Sequence, residues 1–83
     1  MNPINLQLSF IDGTSETVSC IAADLIEFEE HFDLSVSRLE KDYKFTHLAF
    51  LGYAALTRLG KTSADFVTWR KNLAGITDLA VKK

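Results

Sequence analysis

The sequence predicts an α+β fold, an N-terminal β-hairpin packed on a bundle of about three α-helices, within a single small domain of 83 residues. Three observations carry this. Apolar and polar residues alternate from Ile4 to Phe10 and run into Asp12-Gly13. Apolar residues then recur at helical spacing from about Tyr43 to Leu59. The chain is 47% hydrophobic and 24% charged with one cysteine, so it builds a modest core with no intrachain disulfide to support it.

Ile4, Leu6, Leu8 and Phe10 share one face of a strand, because side chains alternate across a pleated backbone. Asp12-Gly13 is a hairpin-turn signal, since glycine reaches positive φ without steric cost. Thr17 to Ile21 reads as the returning strand, giving a hairpin over about residues 4–21. Two strands are marginal in water, so the hairpin must lie against helices.

A first helix is expected over about residues 23–32. Asp24 with Glu27 has capping-box spacing, and Leu25, Phe28 and Phe32 fall on one face. A further helical turn is expected at Ser35–Leu39. The second helix, about 43–59, is apolar over an arc of roughly 200° and ends at Gly60 as a left-handed cap. A helix so widely apolar belongs at the centre of the domain. Its narrow polar strip holds Thr46, His47, Thr57 and Arg58, with Phe50 and Ala54 beside it. Phe50 either tucks under the segment 33–42 or stands exposed as an aromatic anchor for a partner. A third helix is expected over about 63–76, capped by Thr62 with Asp65 and carrying Phe66, Trp69, Leu73 and Ile76 on one stripe. Residues 79–83 read as a frayed tail. Phe28, Phe32, Leu48, Leu51, Phe66 and Trp69 are assigned to the core.

The residues that enzymes need are not assembled at recognisable spacing. His31 and His47 lie in different elements, and neither belongs to a pair that aims two imidazoles at one metal. Cys20 has no nearby base. Gly52, Gly60 and Gly75 are isolated, which excludes a phosphate-cradling loop. No catalytic residue, cofactor or metal is expected. Nor is a nucleic-acid or membrane partner, because the formal charge is −2 and no apolar run approaches the ~20 residues that span a bilayer. No signal peptide is visible at the N-terminus.

The small net charge conceals an asymmetry. Residues 1–42 hold nine acids and two bases, a net of −7, whereas residues 43–83 hold seven bases and two acids, a net of +5. Such a polarised chain is either a folded dipole with solvated faces or one suited to head-to-tail self-association or to a partner through a polarised surface.

Three segments in order resemble the small tail assembly chaperones of long-tailed bacteriophages. The first is Ala23-Asp24-Leu25-Ile26-Glu27-Phe28-Glu29, following the hairpin. The second is the helix from Thr46 to Gly60, with its Leu-Ala, Tyr and Leu-Thr-Arg-Leu-Gly elements. The third is Thr62-Ser63-Ala64-Asp65-Phe66-Val67-Thr68-Trp69. The likeness spans about Leu6 to Ile76. It implies a non-enzymatic protein of the host cytoplasm during phage assembly, which binds the tape measure protein and the tail tube protein. The alternative it leaves is a small structural virion protein acting as an adaptor at the neck, tail or capsid. On the chaperone reading, His47, Phe50, Tyr53, Ala54 and Arg58 form the expected partner-binding set, one aromatic anchor within a polar rim. Lys82-Lys83 is the place where relatives with a frameshifted longer form would diverge.

Overall fold

The computed structural model describes residues 4–35, 37 and 44–79. Three strands and three helices follow in the order β1 (Ile4–Phe10), β2 (Ser15–Cys20), α1 (Ala22–Phe32), α2 (Phe45–Arg58), α3 (Phe66–Arg70) and β3 (Leu73–Asp78). The α+β class and the hairpin on helices are as the sequence predicts. The further turn expected at Ser35–Leu39 and the helix start at Tyr43 lie outside the described residues, except that Ser35 and Ser37 are joined through their hydroxyls at 2.9 Å.

The hairpin closes through Asp12 and Gly13. Gly13 takes φ +92°, and Asp12 Oδ1 accepts from Thr14 N at 2.9 Å and from Thr14 Oγ1 at 2.6 Å. Those two bonds favour the ionised carboxylate and hold the Asp12 carboxyl below its ordinary range. β1 then pairs antiparallel with β2, Leu6 opposite Val18.

A third strand corrects the helix expected over 63–76. Helical structure stops at Arg70, and Leu73–Asp78 returns antiparallel to the other side of β1, giving the order β2-β1-β3. Gly75 with β-branched Ile76 and Thr77 disfavours a helix and suits a strand. The ladder shifts register between Ser9 and Phe10 and continues past the strand, with Leu79 N donating to Asn5 O at 2.8 Å. Leu79 is therefore tied to the sheet rather than frayed, and residues 80–83 lie outside the described residues. The sheet has one apolar face. Leu6, Leu8, Val18 and Cys20 are buried against the helices, while Gln7, Ser9, Thr17, Ser19 and Thr77 face outward.

α2 is the central helix. Leu48, Leu51, Ala55 and Leu56 are buried, and it ends in a Schellman arrangement: Lys61 N donates to Leu56 O and Gly60 N to Thr57 O, with Gly60 at φ +76°. The ends of its expected apolar arc differ, since Phe45 is 56% exposed and Leu59 50%. α1 starts one turn earlier than its cap spacing suggests. Ile21 is the N-cap, and Asp24 sits in the first turn, accepting from Ile21 N at 3.0 Å. α3 is capped by Asp65, whose Oδ1 accepts from Thr68 N at 3.1 Å, and not by Thr62.

Candidate functional site

Four of the five residues expected to face a partner follow one another along α2 at spacings of three and four: His47, Phe50, Ala54 and Arg58. This stripe is turned towards α1. His47 is 4% exposed and meets Phe28 and Phe32 edge-on, with centroids at 5.0 and 4.8 Å. Phe50 is 5% exposed; His31 stacks on it at 4.3 Å and 17°, and Phe32 meets its edge at 5.5 Å. Phe50 is thus a core ring, not an exposed anchor. Of the two readings from sequence, burial holds, with α1 supplying cover; most of the segment 33–42 lies outside the described residues.

The stripe ends in an ion pair. Asp24 is 1% exposed, and Arg58 donates to it from Nη2 at 3.0 Å and from Nε at 3.2 Å. The same Nη2 donates to Ser19 O at 3.0 Å, so one guanidinium joins α1, α2 and edge strand β2. The carboxylate beside it raises the Arg58 pKa further. Cys20 lies under this junction. Its thiol points at Leu51 O at 3.7 Å, and burial, with the Asp24 charge second, pushes its pKa up to about 12. It is therefore a protonated, inert thiol at neutral pH.

Tyr53, the fifth residue, lies on another face. Its hydroxyl donates to Ala64 O at 2.7 Å, and its ring lies 5.4 Å from Phe66 and 5.5 Å from Trp69. Ring contacts thus run unbroken from Phe28 on α1 across α2 to Trp69 on α3 and Phe10 on β1.

Two open grooves flank this aromatic layer. One, of about 380 Å³, is lined by Ala23, Asp24, Glu27, Phe50, Tyr53, Ala54, Thr57 and Arg58. The other, of about 420 Å³, is lined by Glu27, Glu30, His31, Phe50, Tyr53 and Phe66. They share Glu27, Phe50 and Tyr53, and so adjoin as a trough of two parts along the α1–α2 seam. Its floor is apolar and its α1 rim carries the acids Glu27 and Glu30. Of the expected set, Phe50, Tyr53, Ala54 and Arg58 line this trough and His47 does not. Glu27, Glu30, His31 and Phe66 were not among the residues expected there; the i, i+3 spacing of Glu27 and Glu30 on α1 is the sequence signal for the rim.

Among the described residues, no group of three or more His, Cys, Asp or Glu side chains converges to hold a metal ion. No helix of the described residues is long and apolar enough to cross a membrane. No protein-family model matches the chain, and no curated protein or solved structure is significantly similar to it.

Proposed function

We propose that this protein is a non-enzymatic assembly chaperone of the phage tail type, which covers an apolar helical stripe of the tape measure protein while the tail tube protein is added. The observation that carries the reading is the pair of adjoining grooves that share Glu27, Phe50 and Tyr53, with Phe50, Tyr53, Ala54 and Phe66 as apolar lining and Glu27 and Glu30 on the α1 side. An amphipathic helix lays its apolar face into such a groove and sets basic side chains against the rim. The floor is built within the fold itself, since Tyr53 donates to Ala64 O and Phe50 stacks on His31. Little ordering cost then falls on binding. The order of the three sequence segments that resemble tail chaperones supports the same reading.

The test is a binding titration of the full chain against a tape measure protein and a tail tube protein of a long-tailed phage. A complex with the tape measure protein is expected, and Glu27→Lys should weaken it at least tenfold with Tm unchanged, since Glu27 is exposed. No complex with either protein, or binding indifferent to Glu27→Lys, overturns the reading. Recovery of the protein in purified particles would favour a structural virion adaptor instead.

A further inference from the structure

A third groove, of about 360 Å³, opens at the turn end of the hairpin, between it and the link from α2 to α3. It shares no lining residue with the trough. Phe10, Leu56 and Trp69 are its apolar lining, and Asp12, Glu16 and Lys61 its charged lining. Phe10 and Trp69 meet at 6.0 Å and 81°, so their rings form a nearly right-angled corner. Tyr53 and Phe66, which also contact Trp69, do not line this groove.

The charge of the groove is unbalanced, two carboxylates against one ammonium. The ammonium is loosely held: Lys61 Nζ lies 3.5 Å from Glu16 Oε1, with the two side chains 51% and 41% exposed. A surface pair of this kind is worth little, so a better-fitting cation can displace Lys61 from Glu16. Among the described residues, Asp12 has no cationic partner. Its hydrogen bonds from Thr14 N and Thr14 Oγ1 both go to Oδ1 and favour the ionised carboxylate. An aromatic corner beside uncompensated carboxylates suits a cation with an apolar stem. The rings attract it through their quadrupole and bury its stem, and the carboxylates receive its donors.

We propose that this groove receives an arginine side chain of a partner protein, its stem against Leu56 and the Phe10–Trp69 corner and its guanidinium between Asp12 and Glu16. Arginine suits the groove better than lysine. A guanidinium is planar, weakly hydrated and rich enough in donors to serve two carboxylates, whereas an ammonium is a strongly hydrated point charge. A partner protein suits it better than a free cation, because Ile11 also lines the groove and is 68% exposed. Residues beside the arginine would cover that apolar surface. The proposal uses no residue of the trough, so it stands or falls separately from the proposed function.

The experiment is a fluorescence titration of the full chain, since Trp69 is its one tryptophan and lines the groove. The probe is N-acetyl-arginine amide, with N-acetyl-citrulline amide as its neutral isostere. The arginine probe should give a saturable change with a Kd on the order of 1 mM, and the citrulline probe none. Asp12→Asn keeps the acceptor that closes the turn, and Glu16→Gln keeps the shape of its side chain. Each should raise Kd about threefold, the size of a lost surface charge pair. Lys61→Gln should lower Kd by about the same factor, because it removes the competing cation from Glu16, and a loss of folding cannot mimic that gain. An acetylated Leu-Arg-Leu amide should bind more tightly than the single residue, and Ile11→Ser should abolish the difference. A signal that does not saturate, equal binding of the citrulline probe, a Lys61→Gln protein that binds no better than wild type, or a tripeptide that gains nothing overturns the proposal.

Discussion

Gly52 of α2 lies against Leu8 of β1 so closely that a Cβ on Gly52 would sit 2.7 and 2.9 Å from the two Leu8 δ-carbons. Leu8 is fully buried, and this approach sets how near the central helix lies to the sheet. Gly52→Ala adds about 1 kcal/mol of helix propensity, but it overpacks a core in which such insertions cost about 1–3 kcal/mol. A net loss of stability is expected. Leu8→Val withdraws the δ-carbons, so Gly52→Ala should cost less in that background. A urea-melt double-mutant cycle checks this, and additive losses would show that Leu8 moves aside freely.

The Asp24–Arg58 pair predicts an asymmetry between its partners. Arg58→Ala strands a carboxylate that is 1% exposed, whereas Asp24→Ala leaves a guanidinium whose side chain is 29% exposed and free to turn to water. Arg58→Ala should therefore lower Tm more than Asp24→Ala, and the double variant should lose less than the two losses added. Arg58→Lys should recover only part of the loss, because one ammonium does not reproduce the planar fork that reaches Asp24 and Ser19 O together. Equal losses from the two alanine variants would mean that the junction is set by packing.

Phe50→Ala is expected to behave as a core truncation. Emptying the space between His31, Phe32, Phe66 and Tyr53 removes a nearly buried ring, a change that typically costs about 3–5 kcal/mol. For a domain of this size Tm should fall by at least about 10 °C. A thermal melt that barely moves would return Phe50 to the surface, as an anchor for a partner.

The elements of the fold were largely legible because each has a local signature: the alternation in β1, Asp12-Gly13, the period of α2 and the Gly60 cap. What was hidden is non-local. Phe66, Trp69, Leu73 and Ile76 keep helical spacing, yet Leu73 and Ile76 belong to a strand, because β1 has a second edge to pair and Gly75 weakens the helix that would compete. Over four such positions a short helix followed by a strand leaves the same pattern as one helix. His47 and Arg58 read with Thr46 and Thr57 as a polar strip beside Phe50 and Ala54, because α2 alone carries no sign of what covers it. Its counterpart is Asp24, Phe28, His31 and Phe32 on α1, and only the packing of the two helices turns a buried acid and two imidazoles into an interface. The trough is a by-product of that packing, so its floor was named in part and its acidic rim was not.

Cys20 gives a pH dependence with a definite sign. Burial first, and the Asp24 carboxylate second, push the folded-state pKa to about 12, whereas a thiol in an unfolded chain ionises near about 8.5. Below the unfolded value both states hold the proton and the group leaves stability independent of pH. As pH rises from about 8.5 towards 12, the unfolded chain releases the proton and the folded one keeps it, so stability falls through that window. Cys20→Ala leaves a small cavity whose cost does not vary with pH. The stability difference between wild type and Cys20→Ala should therefore be flat up to about pH 8 and then shift steadily against the wild type as the solution becomes more alkaline. Denaturant melts of both proteins across that range measure it. Thiol labelling adds an independent check, since a disulfide reagent should modify Cys20 only as fast as the protein opens, and urea should accelerate it sharply. Rapid labelling of the native protein, or a stability difference that stays flat to pH 11, would show that the thiolate is accommodated in the fold.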